Sequence, residues 1–447
     1  MTMQDRENLV FDLFKDYEIY LVGGYVRDKL LGVESHDLDF ATNARPEETK
    51  KILENAELDP HTVGWAFGTV GFIHKRYEFH ITTYRKNEDY QRDNRHPVVE
   101  WGNTLEEDLS RRDFTINAIA QDKDGKIIDL FEGQKHLEDK IIKTPGSAEK
   151  AFREDPLRIL RAIRFANKLN FTYNGNTWKA LNKFAYKVLT LSKERILEEF
   201  TKILLVDFAA CALHDMLESR VLHYIAPELT VLADIEQDSE YHHKNAWEHT
   251  IQVVSEIKKS PINRWAALFH DIGKPYTYSI ENGKIHFYKH EEISARMTES
   301  ILKRIGLPNK WIKAIIFMVR NHMRPNLYDK NWSTSAVRRF VREMGHMLEP
   351  VLDLSRADIT SHKPLTVDGH LARISELSER CEEAQEYKEL KCPLTGYDIM
   401  NYYKIKPGPE VGKMQKIIIE ALLSSKLNQV YNKQIYFAYL DEERNKK

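Results

Sequence analysis

The sequence predicts a mixed α+β region over residues 1–140, followed by an all-helical remainder. Two observations lead to this fold class. Before residue 140, short runs rich in Ile, Val, Tyr and Phe, such as Glu18–Val22, Gly68–Phe72 and Tyr77–Arg85, are interleaved with helical patterns. From about Lys140 onward, apolar residues recur at helical spacing. With 447 residues, the chain is long enough for two to four domains.

Composition narrows the class of protein. Charged residues make up 30% of the chain and apolar residues 42%, and no apolar run reaches the ~18 residues of a membrane-spanning helix. The polar, acidic N-terminus argues against a secretory signal, and three widely spaced cysteines fit a reducing compartment. We therefore expect a cytoplasmic protein with no membrane partner. The net charge is −2, but basic residues concentrate between Lys140 and Lys202. The chain can therefore have an RNA-binding surface despite its slightly negative net charge.

The stretch Leu21–Thr42 is the most informative part of the α+β region. A buried strand ends at Gly23 and Gly24, where the backbone must turn sharply, and a helix is predicted over Val26–Leu31. The amide groups of the turn and the dipole of this helix can together face an anion such as phosphate.

A second strand, Asp37–Phe40, follows. Because side chains alternate along a strand, Asp37 and Asp39 project from one side while Leu38 and Phe40 point into the core. Two carboxylates placed in this way can bridge divalent cations that activate a hydroxyl and neutralise a leaving pyrophosphate. A D-x-D pattern alone is more often an ordinary surface pair, but the glycine turn upstream favours a metal site.

The motifs GGYVRDKLLG (residues 23–32) and HDLDFAT (residues 36–42) resemble the head-domain signature of class II tRNA nucleotidyltransferases and bacterial poly(A) polymerases. This family is a branch of the polymerase-beta-type nucleotidyltransferases. The resemblance implies a polymerase-beta-like head with a catalytic magnesium site and a triphosphate-binding turn. It assigns Mg²⁺ to Asp37 and Asp39, and the triphosphate to Gly23, Gly24 and Arg27.

Two features of the head leave alternatives open. The family often has a third carboxylate where this chain has His80, and Glu78, on the same face of the strand, is the alternative third ligand. The polar, proline-broken segment Asp89–Trp101 is predicted to be a mobile loop. It resembles the loop that complete CCA-adding members keep, but a plain surface excursion would have the same composition.

The motif RRDFTINA, within Leu105–Ala120, is the second signature of this family. Arg111 and Arg112 are adjacent and cannot share one helix face, so one can reach phosphates while the other supports the site. Asp113 can accept a hydrogen bond from a ribose hydroxyl, and in the family this motif senses the 2′-OH. A solvated charge cluster would not explain why Asn117 follows at the family's spacing.

The segment AFREDPLRILRAIRFANKLNF (residues 151–171) predicts how a nucleotide is selected. Asp155 and Arg158 are three apart, so both can face one site, and Asp155 before Pro156 also suits a helix N-cap. Cytosine and adenine each offer an amino donor beside a ring-nitrogen acceptor, which a carboxylate next to a guanidinium complements. Uracil and guanine would leave buried groups unpaired.

The letters EDPLR resemble the family's EDxxR motif, to which the family assigns this selection, within a helical neck domain. The nucleotide-binding set therefore also includes Glu154, together with the basic stripe Arg158, Arg161 and Arg164. In the helical segment Leu191–Leu205 we see no chemistry beyond contacts with RNA or between domains.

A second metal site is predicted downstream. Histidines and aspartates follow the order typical of the HD phosphohydrolase superfamily, with HDxGKP intact, whereas a lone helical histidine is usually structural. A divalent ion there could activate water to hydrolyse a phosphate ester or a 2′,3′-cyclic phosphate, and the ligand types suit nickel, manganese, cobalt or iron. The predicted ligands are His249, His270, Asp271 and Asp358, with His290 and His322 as additional ones.

We divide the chain into a head (1–140), a helical neck and body (141–235), an HD domain (236–365) and a helical tail (366–447). The tail motifs CPLTGYDIM and KIKPGPEVG recur in HD-containing relatives of the family. The tail is expected either to bind tRNA or to pack on the HD unit.

The predicted function is template-independent addition of CCA to tRNA from CTP and ATP. Three alternatives stay open: a partial adder of only CC or only A, a poly(A) polymerase, and an HD phosphohydrolase whose head is a tRNA-binding module. The sequence does not indicate an oligomeric state.

Overall fold

The computed structural model describes residues 2–35, 37–62, 64–89, 98–235, 245–360, 364–430 and 432–446. The chain divides into two compact units, Met1–Thr230 and Val231–Lys447. The first unit combines a sheet with helices, and the second is mostly helical. The predicted α+β head followed by helical domains is therefore confirmed.

The first unit contains the large sheet and the helices that surround it. Its strands are β1 (Ile19–Val22), β2 (Asp37–Thr42), β3 (Pro60–His61), β4 (Thr69–His74), β5 (Tyr77–Thr83), β6 (Arg85–Asp89), β7 (Val98–Trp101), β8 (Ile119–Gln121), β9 (Ile127–Asp129), β10 (Ile141–Ile142) and β11 (Thr172–Tyr173). Its α-helices are α1 (Met3–Leu13), α2 (Gly24–Leu30), α3 (Pro46–Asn55), α4 (Leu105–Ser110), α5 (Gly133–Glu138), α6 (Ala148–Glu154), α7 (Leu157–Leu169), α8 (Gly175–Phe184), α9 (Lys193–Leu204), α10 (Ala209–Glu218), α11 (Val221–Ile225) and α12 (Pro227–Thr230).

Seven strands form the sheet, in the order β3-β4-β5-β2-β1-β8-β9. Strands β2 and β5 are parallel, and their register places Asp37 opposite Glu78 and Asp39 opposite His80. Every other neighbouring pair in this sheet is antiparallel. The parallel pair thus brings two polar positions of each strand to one region of the sheet.

Apolar side chains hold the strands and the neck helix in place. Leu38 and Phe40 of β2 are fully buried, as expected for residues that alternate with the two aspartates along the strand. On α7, Ile159, Leu160 and Ile163 are completely buried. Burying a side chain of this size stabilises a fold by roughly 1.5–3 kcal/mol, so these residues fix where the polar faces of β2 and α7 lie.

The second unit consists of helices and one hairpin. Its strands are β12 (Tyr278–Glu281) and β13 (Lys284–Phe287). Its α-helices are α13 (Ala246–Glu256), α14 (Pro261–Phe269), α15 (His290–Ile305), α16 (Asn309–Asn321), α17 (Thr334–Met344), α18 (Leu348–Thr360), α19 (Pro364–Glu383), α20 (Gly396–Tyr403), α21 (Pro409–Leu423) and α22 (Lys433–Asn445).

Two small strand pairs interrupt the part predicted to be all helical. Strands β10 and β11 pair in parallel, and β12 and β13 form an antiparallel hairpin. The hairpin turns at Asn282 (φ 53°) and Gly283 (φ 75°), the positive-φ pair of a tight two-residue turn. Asn-Gly was a readable hairpin signal that the helical assignment overlooked.

The structure alters the prediction for Asp89–Trp101. Residues 90–97 of the predicted loop lie outside the described residues. The segments on either side, β6 and β7, pair as antiparallel strands, so the loop prediction is wrong for Asp89 and for Val98–Trp101. Within the described residues, no helix has the length and hydropathy needed to cross a membrane.

Candidate functional site

Asp37 and Asp39 lie on one face of β2, as the strand alternation predicts. Asp37 is exposed and the Asp39 side chain is 44% exposed, whereas Leu38 between them is fully buried. In the described part of the chain, these two carboxylates belong to no group of three closely spaced metal ligands. Mg²⁺ commonly takes one or two protein carboxylates and completes its shell with water and substrate phosphates, so an open pair fits this ion.

His80 stands between Asp39 and Glu78. Its Nδ1 lies 3.6 Å from Asp39 Oδ1 and its Nε2 lies 3.1 Å from Glu78 Oε1. The hydrogen bond with Asp39 raises the pKa of His80, although burial opposes the charge. Glu78 therefore contacts the imidazole that occupies the family's carboxylate position, and His80 is the closer neighbour of the aspartate pair.

Gly23, in the glycine turn, lies close to Arg112 of the RRDFTINA motif. Its φ is +72°, and a Cβ there would lie 2.7 Å from Arg112 Nη1 and 3.9 Å from Asp39 Oδ2. Arg112, the turn and the aspartate pair are thus neighbours. The prediction that the Gly23 amide faces an anion needs correction, because this N–H donates to the carbonyl of Ile119 at 3.3 Å. Glycine is required here for its conformation and close approach.

Asp108 is a residue of this site that the sequence analysis missed. It is 1% exposed, and its Oδ2 accepts hydrogen bonds from Arg112 Nε (3.1 Å) and Nη2 (2.9 Å). Arg111 Nε lies 3.4 Å from the other oxygen. Burial opposes the charge on Asp108, but Arg112 and Arg111 lower its pKa below the ordinary value. Asp108 therefore stays ionised and orients both arginines.

A hydrogen-bonded chain joins α2 to α7. Arg27 Nη1 donates to Asn117 Oδ1 at 2.7 Å, and Asn117 Nδ2 donates to Asp113 Oδ1 at 2.9 Å. Arg161 contacts the other oxygen of Asp113 at 2.6 Å. Although burial opposes ionisation, Arg161 and Asn117 lower the pKa of Asp113 to about 2.

Two predicted roles change because of this chain. Arg27 is 3% exposed and also contacts Asp28 at 2.6 Å, so it supports Asn117 and does not face a triphosphate. Both oxygens of Asp113 already accept hydrogen bonds, so a ribose hydroxyl would have to share them with Arg161.

Asp155 and Arg158 lie at the junction of α6 and α7. Asp155 Oδ1 accepts from the N–H of Leu157 at 3.1 Å, and α7 begins at Leu157. Pro156 is therefore the N-cap of α7, and the predicted N-cap position of Asp155 is wrong by one residue, although its side chain still accepts from the first helical N–H. Arg158 donates to the carbonyl of Arg111 and, at 3.4 Å, to that of Ala151.

The segment Leu191–Leu205 contacts this site through two side chains that the sequence analysis did not single out. On α9, Arg195 Nη2 donates to both oxygens of Asp155 at 3.0 and 3.1 Å, and Glu199 pairs with Arg164. Residues 195 and 199 are four apart and share one helix face, a spacing that could have suggested a pair of functional contacts.

The remaining predicted nucleotide-binding residues surround this junction. Glu154 is half exposed and its Oε2 lies 3.8 Å from Arg158 Nη1. The guanidinium groups of Arg161 and Arg164 lie 5.4 and 4.2 Å from the ring centre of Phe165. The basic stripe of α7 is therefore fixed by carboxylates and an aromatic face, which lowers the ordering cost of binding an anion.

The second unit brings all six predicted ligands together. They form two groups of three residues, and every residue is buried. Within each group, the potential ligand atoms lie within 4.8 Å of one another. The groups are His249, His270 and Asp358, and Asp271, His290 and His322.

Asp271 connects the two groups. Its Oδ2 lies 3.1 Å from His249 Nε2 and 3.2 Å from His270 Nε2, while its Oδ1 lies 3.2 Å from His290 Nε2. Lys274 Nζ also contacts Oδ2 at 2.6 Å. The Asp271 carboxylate thus faces the histidines of both groups. This arrangement fits a centre for two cations better than the single ion that the sequence suggested.

Backbone carbonyls orient three of the imidazoles. His270, His290 and His322 each donate Nδ1–H to the carbonyl three residues earlier, at 2.7, 2.9 and 2.7 Å. This contact fixes the tautomer and leaves Nε2 aimed at the centre, as in protein metal sites.

The electrostatics of this cluster favour cations. Burial lowers the pKa of His322 to about 3, so its ring is neutral. Burial also opposes charge on Asp358, but His249 and His270 hold its pKa well below the ordinary value. Burial opposes a charge on His270 too, yet Asp271 and Asp358 raise its pKa to about 10. The two carboxylates therefore attract positive charge into a buried site.

Three segments of the chain match protein-family models. Residues 19–143 match the "Poly A polymerase head domain", and residues 170–232 match the "Probable RNA and SrmB- binding site of polymerase A". Residues 248–362 match the "HD domain".

The chain is also similar to curated proteins over two thirds or more of their length. The CCA-adding enzyme of Lactococcus lactis subsp. cremoris is 30% identical over 429 residues, which cover 94% of this chain and 90% of that protein. The CCA-adding enzyme of Streptococcus agalactiae is 36% identical over 308 residues, which cover 65% of this chain and 76% of that protein.

Solved structures show the same architecture. The Bacillus stearothermophilus CCA-adding enzyme in complex with CTP has a TM-score of 0.71 and 26% identity, covering 100% of this chain and 99% of that one. The Thermotoga maritima CCA-adding enzyme complexed with tRNA-CCA has a TM-score of 0.52 and 20% identity, covering 98% and 95%.

The head and its aspartate pair, together with the HD domain, define the class: a nucleotidyltransferase that also contains an HD domain. Within that class, the chain belongs to the family of CCA-adding enzymes.

Proposed function

We propose that this chain adds CMP, CMP and AMP to the 3′ end of tRNA, using CTP and ATP and releasing pyrophosphate without a nucleic-acid template. The observation that carries the proposal is the open Asp37 and Asp39 pair beside Gly23 and Arg112, in a chain that is 30% identical to a CCA-adding enzyme. Three unpaired cysteines fit a reducing cytoplasm as its location.

Asp37 and Asp39 would hold Mg²⁺ and are the catalytic residues. When bound, the ion lowers the pKa of the attacking hydroxyl and neutralises negative charge on the triphosphate. The 3′-oxygen of the RNA bonds to the α-phosphorus of CTP or ATP, the bond to pyrophosphate breaks, and the hydroxyl proton passes to solvent. His80 supports Asp39 from the neighbouring strand.

Arg112 and Arg111 would bind the triphosphate at the glycine turn, where Gly23 and Gly24 leave space for it. Asp108 holds both guanidinium groups in place, so their orientation does not have to be established when the nucleotide arrives. Such fixed charges stabilise a transition state because no reorganisation is needed during the reaction.

The junction of α6 and α7 would select the base. Asp155 accepts the exocyclic amino group of cytosine or adenine, and Arg158 donates to the adjacent ring nitrogen. Arg195 orients Asp155 through hydrogen bonds to both of its oxygens, and Glu154 lies beside Arg158. Uracil and guanine would present a carbonyl to Asp155 and a ring N–H to Arg158, and each group of the base left unpaired in this way costs about 1–3 kcal/mol.

The incubation of a tRNA transcript that lacks CCA tests this function. With CTP alone we expect two added residues, with ATP alone none, and with both nucleotides three. Continued growth in adenosines would indicate a poly(A) polymerase instead. A product that stops after CC, or that receives only A on a CC-ended transcript, would indicate a partial adder.

A second activity is proposed for the HD domain, because six buried ligands converge there. The histidines and aspartates would hold two divalent transition metals, of which nickel, manganese, cobalt and iron fit the nitrogen and oxygen ligands. The reaction is hydrolysis of a phosphomonoester or a 2′,3′-cyclic phosphate. Turnover of a 2′,3′-cyclic nucleotide with added nickel or manganese tests it; activity equal to that of His270→Ala with Asp271→Ala would remove this proposal.

We also propose the division into head (1–140), neck and body (141–235), HD domain (236–365) and tail (366–447). The change from one compact unit to the next at Thr230 and Val231 supports the central boundary. The tail has a core of its own, formed by residues such as Ile418, Tyr436 and Leu440.

A further inference from the structure

A polar cleft of about 420 Å³ lies between α6 and α8 in the first unit. None of the residues to which a nucleotide or metal has been assigned above lines it. One wall comes from the start of α6 and the turn before it, and the other from the start of α8. The lining residues that carry the argument are Lys143, Ser147, Glu149, Thr177, Lys179 and Lys183.

The cleft carries a net positive charge, because three lysines and one glutamate line it. Glu149 is bound to Lys183 at 2.8 Å and to Arg153 at 3.0 Å. Lys143 lies 4.0 Å from Glu132, and Lys179 makes no ion pair with any residue that the structure describes. Lysines with little or no compensating charge, beside hydroxyl and amide groups, form a suitable environment for a phosphate.

We propose that this cleft binds a backbone phosphate of the RNA substrate. No aromatic side chain lines the described cleft, so it offers no stacking surface for a base. The wall formed by Asn174–Lys183 lies within residues 170–232, the segment that matches the RNA-binding family model. This inference rests on the proposed RNA substrate and adds a contact outside the catalytic site.

The cleft is connected to the base-selecting residues by a single helix. Helix α6 begins at Ala148 in the cleft and ends at Glu154, directly before Asp155. Seven residues of helix span about 10 Å. A phosphate bound at the start of α6 would therefore hold the RNA strand about 10 Å from the residues that select the nucleotide.

The test compares the Lys143→Ala, Lys179→Ala variant with wild type in binding a tRNA transcript that lacks CCA, across a series of KCl concentrations. Loss of one phosphate contact lowers the slope of log affinity against log salt by about 0.7–0.9. We expect that change and weaker binding at low salt, with the KM for CTP within twofold. The matched control, Lys51→Ala with Lys123→Ala, removes two exposed lysines outside the cleft and should bind as wild type.

Each outcome decides the proposal. An unchanged salt slope and affinity would overturn it, and so would a raised KM for CTP with unchanged RNA affinity, which would mean that the cleft holds the nucleotide's phosphates. Equal losses in the control variant would show a diffuse charge effect and also overturn it. If the double variant unfolds, the single Lys179→Gln variant gives the same readout. Wild type that binds the transcript but adds no nucleotide would refute the proposed function and leave the binding result intact.

Discussion

The two candidate metal sites of this chain differ in how complete they are before any ligand arrives. On the head, Asp37 and Asp39 stand on an open strand face beside His80 and, among the described residues, belong to no group of three closely spaced ligands. In the HD domain, six buried side chains converge, and backbone carbonyls fix three of the rings. We infer that the head site is completed by its substrate, whereas the HD site is formed by the fold itself.

The two sites therefore obtain their specificity from different sources. A preformed buried centre can retain metal without substrate, because its ligands are already desolvated and oriented. An open carboxylate pair binds magnesium weakly until phosphate oxygens join it. We therefore expect the head to rely on neighbouring charges, oriented by Asp108 and Arg195, to place the nucleotide.

The largest expected effect comes from removing the head carboxylates. Asp37→Asn with Asp39→Asn should lower the rate of CMP incorporation by at least about 10³-fold, because the attacking hydroxyl and the leaving pyrophosphate lose their metal stabilisation. The metal content of the HD domain should not change. Incorporation of labelled CMP measures the loss, and the exposed control Asp124→Asn should keep the wild-type rate.

The converse variant, His270→Ala with Asp271→Ala, separates the two sites. We expect the HD metal, measured by elemental analysis of the purified protein, to fall from about two ions per chain to near zero, because both ligand groups lose a member. CMP incorporation should stay within about twofold. A parallel loss of incorporation, in protein that is still folded, would mean that the two sites are not independent.

Asp108→Asn tests whether the head depends on arginines fixed in advance. The variant keeps the shape but removes the charge that orients Arg112, which is worth about 1.5–3 kcal/mol. We expect kcat/KM for CTP to fall about 10- to 100-fold, mainly through a higher KM.

The control is Glu106→Gln, an exposed position on the same helix. A merely structural role for Asp108 would reduce the amount of active protein, and so kcat, with KM unchanged. That pattern would contradict the proposed orientation of the arginines.

The ion pair of Asp113 with Arg161 gives a pH-dependent effect on stability. The pKa of Asp113 is about 2 when folded, below its ordinary 3.8, so the stabilisation is complete above about pH 4 and is lost as the pH falls toward 2. Asp113→Asn should therefore cost about 2 kcal/mol at pH 7 and clearly less at pH 3. Urea unfolding of both proteins at the two pH values measures this, and an equal cost at both would refute it.

The smallest effects come from a pair of glycines in the second unit. A Cβ at Gly273 would lie 2.6 Å from the carbonyl oxygen of His290 and 2.7 Å from the N–H of Ser294, so Gly273→Ala should destabilise by about 1–3 kcal/mol and weaken metal retention. A Cβ at Gly412 meets no atom within 4 Å. Gly412→Ala, in a helix, should stabilise by about 0.5–1 kcal/mol. Thermal unfolding compares them, and equal shifts would show that crowding beside His290 is unimportant.

The parts of the fold that the sequence predicted are those with local signals. Asp37 and Asp39 share a face because a strand alternates, and His270 and Asp271 are adjacent in a recognisable motif. Asn282–Gly283 had an equally local signal that the helical assignment overlooked.

The contacts that the sequence did not predict join distant segments. Arg195 meets Asp155 across 40 residues, and Glu199 meets Arg164 across 35. Such pairs depend on how α7 and α9 pack, which no local pattern specifies. For the same reason, the sequence did not predict that Arg27 is buried and donates a hydrogen bond to Asn117. Its position after the glycine turn suggested only a contact with the triphosphate.

The central claim is that the substrate completes the head site. The most direct test is a titration with Mn²⁺ by electron paramagnetic resonance, on the His270→Ala, Asp271→Ala variant, with and without a non-hydrolysable CTP analogue. We expect tight Mn²⁺ binding only when the analogue is present, and none after Asp37→Asn with Asp39→Asn. Equally tight binding without the analogue, or binding that survives loss of both aspartates, would contradict it.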